Sequence, residues 1–222
     1  MTKLLITIDG PAGAGKTTVS RALAERLGYR YIDTGALYRG VAYEVKRRGI
    51  DPENEAELDD LCDRIQLRFE SEGKGLRLYS NNLDISDYIR TPEISMLASA
   101  VSAKSIVRDY LLEVQREIGQ KKAAVFEGRD MGTVVFPEAD VKFFLDASSK
   151  TRALRRYQEL NAESGQSLEK VAKELQQRDT NDSTRSLAPL KPAEDAIRID
   201  SSELSVQEVV ELMLSHIDRK RQ

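Results

Sequence analysis

The 222-residue chain has little of several residue types on which common protein chemistries depend. Its one cysteine, Cys62, cannot close an internal disulfide, and a lone thiol is typical of a reducing compartment. Its one histidine, His216, disfavours Ser-His-Asp hydrolysis and histidine-rich metal sites. No apolar run reaches the roughly 18 residues of a membrane span. We therefore expect a cytoplasmic protein whose chemistry depends on Asp, Glu, Arg, Lys, Ser and Thr.

A large excess of charge of one sign is also missing. Lys and Arg number 34 and Asp and Glu number 37, so the formal net charge is −3. Nucleic-acid binders usually show a basic footprint, which this balance does not favour. We expect neither nucleic acid nor a membrane among the partners. The length allows one large domain or two small ones, with a sizeable core.

Short apolar runs alternate with segments of helical spacing along the chain. Helices are predicted at 16–27 and 35–48, each followed by a glycine that suits a helix end. Strands are predicted at 4–8, 29–32, 125–126, 141–145 and 196–199. This alternation is typical of an α/β fold with a parallel sheet.

Two segments break the alternation. Residues 66–85 alternate apolar and polar positions around a turn at 71–75, which predicts a small β-meander inserted into the fold. Residues 148–192 are polar and rich in arginine, so we expect a segment that is weakly tied to a core and can move.

The strongest local signal is a glycine-rich stretch between the first predicted strand and the first predicted helix. It matches G-x-x-x-x-G-K-[ST], the P-loop pattern, in the strand-to-helix context that this loop requires. Backbone N–H groups and the helix N-terminus would hold phosphate oxygens there. Lys16 would neutralise the β/γ oxygens and Thr17 would bind Mg²⁺. The predicted ATP-binding residues are Gly10, Pro11, Ala12, Gly13, Ala14, Gly15, Lys16, Thr17 and Thr18.

The rest of the sequence favours a kinase of small molecules among P-loop proteins. It has no Asn-Lys-x-Asp element for guanine and no apolar strand ending in Asp-Glu, as an ATPase motor usually has. The stretch Glu127-Gly128-Arg129-Asp130 follows the third predicted strand instead. Glu127 either orients a magnesium-bound water or is a structural carboxylate at the strand end, and the sequence favours neither.

Arginines beside small polar residues predict a second phosphate site. Thr34 and Arg39 follow the second predicted strand and Arg129 follows the third, so we expect them at the carboxyl edge of the sheet, facing the P-loop. Guanidinium groups bind a phosphate dianion bidentately. Arg178 and Arg185 lie in what the composition predicts to be a polar loop.

These motifs together resemble bacterial cytidylate kinases, a family of nucleoside monophosphate kinases. The resemblance runs from about residue 4 to 212. It is carried by Gly10–Thr17, Asp33–Arg39, Glu127–Thr133, Phe144–Ser148 and Arg178–Leu190. It implies a five-stranded parallel sheet with helices on both faces, an acceptor-binding lobe and a mobile lid. The implied divisions are a core at 1–33, 109–147 and 189–222, a lobe at about 34–108 and a lid at about 148–188.

The resemblance also implies a reaction, in which a monomer transfers the γ-phosphoryl group of ATP, with Mg²⁺, to CMP or dCMP. Thr34 stands where some members have Ser, and the hydroxyl is retained. The implied substrate-binding residues are Thr34, Tyr38, Arg39, Ser99, Arg108, Arg129, Asp130, Arg178, Asp182 and Arg185. The implied catalytic residues are Lys16, Arg129, Arg178 and lid arginines drawn from Arg152, Arg155 and Arg156, of which we favour Arg152 and Arg156.

The chemistry of cytosine fits the implied acceptor site. A carboxylate such as Asp130 accepts a hydrogen bond from the N4 amino group and repels the O4 of uracil, while Arg108 and Ser99 can donate to N3 and O2. The plainer interpretations are an ion pair with Arg129 or a capping role for Asp130, and a packing role for Ser99. Two other functions stay open from the residues alone: a P-loop kinase of another acceptor, such as shikimate, and a regulator that binds ATP without turnover.

Overall fold

The computed structural model describes residues 2–72, 75–160 and 166–221. Strands and helices alternate at both ends of the chain, as predicted. The helices are α1 (Lys16–Leu27), α2 (Thr34–Arg48), α3 (Glu55–Arg64), α4 (Pro92–Val101), α5 (Ser105–Gly119), α6 (Ser149–Glu159), α7 (Leu168–Thr184) and α8 (Val206–Arg221). The strands are β1 (Leu5–Asp9), β2 (Arg30–Asp33), β3 (Leu67–Glu72), β4 (Gly75–Ser80), β5 (Leu83–Asp84), β6 (Ala124–Glu127), β7 (Val141–Asp146) and β8 (Ile197–Asp200).

Five of these strands form the main sheet, in the order β2-β6-β1-β7-β8. β1 pairs in parallel with β6 and β7, and β7 pairs in parallel with β8. Every residue of the central strand β1 is buried, because its neighbours cover both edges and packed elements cover both faces. The predicted α/β fold with a five-stranded sheet is confirmed, and the strand bounds shift by one or two residues.

The chain divides into two compact units, one of Met1–Ile32 with Lys121–Gln222 and the other of Asp33–Gln120. The first holds the main sheet. Ile6 and Ile8 of β1 pack with α1 and α8 on one face. A π-helical turn, Met131–Val135, contacts β1 in the same unit. The predicted glycine stop of α1 is confirmed, since Gly28 has φ 66° and its N–H bonds back to the helix.

The second unit contains α2–α5 and a three-stranded antiparallel sheet. This sheet, in the order β3-β4-β5, is the predicted β-meander. The turn is shorter than the predicted 71–75, because β3 extends to Glu72 and β4 begins at Gly75; residues 73–74 lie outside the described residues. Cys62 lies in the apolar core of this unit, 6% exposed, beside Leu58 and Leu61 of the same helix.

The prediction of a polar loop around Arg178 and Arg185 is wrong. α7 continues to Thr184, and Arg185 is its C-cap residue. The helix forms because Ser167 accepts the N–H of Lys170 as an N-cap, while Val171 and Leu175, four residues apart, are buried on one face. Residues 161–165 of the predicted lid lie outside the described residues.

The compact second unit ends at Gln120, so α5 belongs with residues 33–120, beyond the predicted lobe boundary at 108. The limits of core, lobe and lid stay predictions. Among the helices that the structure describes, none combines the length and the apolar character that crossing a bilayer requires.

Candidate active site

The glycine-rich loop between β1 and α1 has a backbone that requires glycine. Gly10 has φ 149°, and a Cβ there would lie 2.0 Å from the carbonyl oxygen of Leu145 in the neighbouring strand. Gly15 has φ 87° and is the N-cap residue of α1, with no side chain to block the helix N-terminus. The loop therefore presents backbone N–H groups and the positive end of a helix, an arrangement suited to phosphate.

Lys16 is the cation of this loop. Its side chain is 5% exposed, and its Nζ donates a hydrogen bond to the carbonyl of Pro11 at 2.7 Å. Burial, followed by the nearby positive charge of Arg129, lowers the pKa of Lys16 to about 7. A phosphate group would restore the positive form, because an opposite charge at short range favours ionisation. The buried Nζ beside the loop therefore suits a lysine whose charge is paired with a bound anion.

A hydrogen-bonded chain of oxygen atoms lies beside the loop. The Thr17 hydroxyl donates to Glu127 Oε1 at 2.9 Å, and the Tyr31 hydroxyl donates to Glu127 Oε2 at 2.5 Å. Glu127 ends β6, next to β1, which places its carboxylate against the first turn of α1. Sequence analysis singled out Thr17 and Glu127 but not Tyr31, whose role depends on the pairing of β2 with β6.

The donor atoms fit Mg²⁺ better than a metal held by the protein alone. No group of three or more His, Cys, Asp or Glu able to hold a metal occurs among the described residues. Mg²⁺ usually keeps several waters and binds one or two protein oxygens together with substrate phosphates. The Thr17 hydroxyl and the Glu127 carboxylate supply oxygens of that kind beside the phosphate-binding loop.

Two arginine–aspartate pairs link the turn after β6 to the end of α7. Arg129 Nε donates to Asp182 Oδ2 at 2.9 Å, and Arg185 lies 3.8 Å from Asp130 Oδ1. Asp130 is 3% exposed. Arg185 is thus a charged neighbour of Asp130, and the interpretation of Asp130 as an ion-pair partner of Arg129 stays a prediction. The structure thus brings together four residues that the sequence analysis placed at the acceptor.

The arginines of α6 have three different environments. Arg152 is 8% exposed, donates to the carbonyls of Ala12 and Ala147, both at 3.0 Å, and pairs with Asp179. Arg155 donates to the carbonyl oxygen of Ser201 at 2.7 Å. Arg156 is exposed and pairs with Glu159 in its own helix. Arg152 and Arg155 therefore lie against the phosphate-binding loop and its surroundings, whereas Arg156 does not.

A cavity of about 440 Å³ opens next to the phosphate-binding loop. Segments from three parts of the chain form it: the start of α1, the second half of α6, and the residues between β8 and α8. Its lining residues include Gly15, Val19, Arg155, Gln158, Leu204 and Val206. Sequence analysis missed this cavity, although Arg155 was among the candidate lid arginines. Apolar walls with a few polar groups suit a flat heteroaromatic ring.

The unit of residues 33–120 holds five more of the predicted acceptor residues, whereas Arg178 lies in α7. Asp33 caps α2 by accepting the Ala36 N–H at 3.1 Å, and it pairs with Arg39 at 2.7 Å. The guanidinium of Arg108 lies 5.8 Å from the centre of the Tyr38 ring. Thr34 is buried.

Ser99 lies about one helical turn before Ser102, which contacts both Ser99 and Arg108. It is half-buried in α4, and its carbonyl accepts the Ser102 hydroxyl at 2.8 Å. Arg108 in turn donates to the carbonyl of Ser102 at 3.3 Å. The placement of Thr34 and Arg39 facing the phosphate-binding loop stays a prediction.

Comparison with known proteins identifies the relatives of this chain. The family model described as cytidylate kinase matches residues 6–219. The chain is 49% identical to the cytidylate kinase of Geobacter sulfurreducens, covering 99% of this chain and 94% of that protein. It is 43% identical to the cytidylate kinase of Halalkalibacterium halodurans, covering 99% of this chain and all of the other.

Solved structures share the fold at much lower identity. The shikimate kinase of Bacteroides thetaiotaomicron superposes with a TM-score of 0.53 at 13% identity, over 98% of this chain and 99% of that one. The shikimate kinase of Acinetobacter baumannii, in complex with shikimate, gives a TM-score of 0.51 at 17% identity, over 97% and 93%. Likeness at this identity supports the P-loop kinase fold.

Proposed function

The chain belongs to the cytidylate kinase family, and from this premise we propose how its residues carry out the family's reaction. It is a phosphotransferase that uses ATP to phosphorylate cytidine monophosphate. The match to the family model over residues 6–219 is the observation that carries this conclusion. We further propose, on the sequence expectations, that the enzyme uses dCMP as well as CMP and is a cytoplasmic monomer. We also propose that it has no nucleic-acid or membrane partner.

The phosphate-binding loop, residues 10–18, would hold the β- and γ-phosphates of ATP. The left-handed glycines and the free N-terminus of α1 support this assignment. Lys16 would exchange its bond to Pro11 for a phosphate oxygen and become fully charged. The cavity between α1, α6 and the β8–α8 segment would take the adenine ring.

Thr17 and Glu127 would hold the Mg²⁺ that accompanies ATP. The ion supplies positive charge to the phosphates when it is bound. Thr17 would contribute its hydroxyl oxygen, and Glu127 would accept hydrogen bonds from metal-bound water. Tyr31 keeps the Glu127 carboxylate in place through its hydroxyl. Of the two interpretations of Glu127, this arrangement favours the one in which it orients a metal-bound water.

Arg129, Asp130, Asp182 and Arg185 would form one part of the acceptor site. Arg129 is 19% exposed and tethered by one nitrogen to Asp182, which leaves part of its guanidinium for the acceptor phosphate. Asp130 would read the cytosine amino group. The motifs shared with the family assign further acceptor-binding roles to Thr34, Tyr38, Arg39, Ser99, Arg108 and Arg178.

Phosphoryl transfer would need positioning and charge rather than a covalent intermediate. Four cations would neutralise the charge on the phosphoryl group in the transition state: Lys16, Arg129, Arg152 and Arg178. The ties of Arg152 to Ala12 and Asp179 fix it beside the loop. Arg156 pairs with Glu159 on the exposed side of α6, so its part in transfer would require the helix to move. Exclusion of water by such movement limits wasteful ATP hydrolysis.

The proposal is tested by measuring ADP release with Mg-ATP and a panel of CMP, dCMP, UMP, AMP, GMP and dTMP. We expect fast turnover with CMP and dCMP and little with the others. Preference for another monophosphate would keep the phosphate chemistry and overturn the acceptor-site assignment. ATP binding with no turnover on any acceptor would favour a regulator.

A further inference from the structure

Asp9 is a buried carboxylate to which the proposed reaction assigns no role. It is the last residue of β1, directly before Gly10, and it is 4% exposed. Its Oδ1 accepts the backbone N–H of Met131 at 2.9 Å, and its Oδ2 accepts that of Gly132 at 2.8 Å. Both oxygens therefore bind the two residues that follow Arg129 and Asp130.

The turn that receives Asp9 is shaped to let the carboxylate approach. A Cβ on Gly132 would lie 3.1 Å from Thr7 Oγ1, 3.2 Å from Lys142 Cδ and 3.4 Å from Asp9 Oδ2. The absence of a side chain thus permits the two short hydrogen bonds. The turn is also π-helical, a rare backbone form that occurs often at functional sites.

Keeping this group charged inside the protein has a cost. Burial raises the pKa of Asp9 to about 6, although the two N–H bonds and Lys16 act in the opposite direction and nearby Asp130 adds to the rise. Only the carboxylate presents both oxygens as acceptors; a protonated acid or an amide presents one. A charged residue here costs stability that an apolar one would not, which is typical of positions kept for function.

We propose that Asp9 is a positioning residue that holds Arg129 and Asp130 in register with the phosphate-binding loop. The bond path is short: Gly10 follows Asp9 directly, and Met131 follows Asp130 directly. The Asp9 carboxylate thereby links the start of the phosphate-binding loop to the backbone that directly follows Arg129 and Asp130. This inference rests on the proposed roles of Arg129 and Asp130.

The test compares Asp9→Asn with Thr7→Val in steady-state kinetics. Thr7 lies two residues earlier on β1 and also approaches Gly132, but its buried hydroxyl has no hydrogen-bond partner among the described residues. We expect Asp9→Asn to raise the KM for CMP and lower kcat, together about 10- to 100-fold in kcat/KM, because small misplacements of reacting groups have effects of this size. Binding of a fluorescent ADP analogue should change less than about threefold. Thr7→Val should leave both unchanged.

Gly132→Ala provides a second route if Asp9→Asn does not fold. It displaces the same backbone while leaving the Asp9 charge in place, so we expect the same pattern: weaker use of CMP with nearly unchanged ADP-analogue binding. Equal loss of donor and acceptor binding in the variants, or kinetics like those of Thr7→Val, would overturn the inference.

A double-variant cycle separates this inference from the proposed function. If Arg129→Ala alone leaves the KM for CMP unchanged, the proposed role of Arg129 fails. If Arg129→Ala weakens CMP binding, Asp9→Asn added to it should raise the KM by a smaller factor than it does alone, since the part of its effect that acts through Arg129 is already lost. Full additivity of the two effects would show that Asp9 does not position Arg129.

Discussion

The phosphate-binding loop and the α6–α7 pair hold their polar groups by different means. The loop depends on backbone conformation: Gly10 and Gly15 have positive φ angles, and N–H groups supply the donors. The helical pair depends on side chains, with Arg152 held by Asp179 and Asp182 holding Arg129. A backbone site is formed before the ligand arrives, whereas an arginine that already has a carboxylate partner must exchange or share it when a phosphate binds.

The largest expected effect tests the backbone half of this comparison. Gly10→Ala places a Cβ 2.0 Å from the Leu145 carbonyl oxygen, so we expect loss of nucleotide binding and destabilisation by several kcal/mol. Gly28→Ala is the matched control, since Gly28 has φ 66° and no atom within 4 Å of the added Cβ. Its expected cost is about 1 kcal/mol. Thermal unfolding of the two variants with and without nucleotide measures the loss of stability and of nucleotide binding. Equal destabilisation by the two substitutions would show that the contact with Leu145 is not what excludes a side chain at position 10.

Lys16→Met tests the one side chain on which the loop depends. We expect kcat to fall by about 10³-fold, because a donor to the transition state is lost. The folded pKa of about 7 lies below the unfolded 10.5, so the penalty for burying the charge is complete below pH 7 and is relieved as pH rises to 10.5. Urea unfolding of the nucleotide-free protein should therefore show Lys16→Met more stable than wild type at pH 7, with the gap narrowing toward pH 10.5. A gap that does not change with pH would contradict this.

Asp130→Ala tests whether a side chain alone sets base choice. We expect the ratio of kcat/KM for CMP over UMP to fall by about 100-fold, because the acceptor for the N4 amino group is lost. Competition between the two monophosphates in one reaction measures the ratio directly. An unchanged ratio would show that the base is read elsewhere.

The smallest expected effects come from the carboxylate partners on α7. Asp179→Asn leaves the buried Arg152 without its ion pair, for an expected cost of about 2 kcal/mol and a fall in kcat of about tenfold. Glu174→Gln on the same helix removes an exposed pair with Lys170 and should cost less than about 0.5 kcal/mol. Urea unfolding of both variants compares them. Equal costs would mean that the buried pair does not hold α6 and α7 together.

The same contrast explains what the sequence could predict. The loop at 10–18 is a local pattern, and it forms where the sequence predicts it. Ser205 and Glu208 form a capping box at the start of α8, which is local in the same way. The polar composition around Arg178 predicts a loop, whereas the structure has a helix there. The i, i+4 pair of Val171 and Leu175 is the one local signal that favours the helix.

Features that join distant segments could not be predicted in this way. The partners of Arg129 and Arg152 are 53 and 27 residues away in sequence, and no local pattern links them. The cavity beside α1 draws its walls from three segments, each unremarkable alone. From the sequence, Asp9 is simply the last residue of an apolar strand. Its hydrogen bonds to Met131 and Gly132 depend on the sheet, which places those residues beside it.

The buried thiol of Cys62 can report local opening of the core of residues 33–120. Burial, together with the neighbouring carboxylates of Asp59 and Asp63, raises the pKa of Cys62 to about 11. At neutral pH the thiol is therefore protonated, and the thiol form is far less reactive than the thiolate. Labelling by a disulfide reagent therefore has to wait for the core of residues 33–120 to open, and its rate gives the free energy of that opening without any added probe. A cysteine introduced on the surface would react much faster than Cys62, so the two labelling rates could be measured separately in one sample.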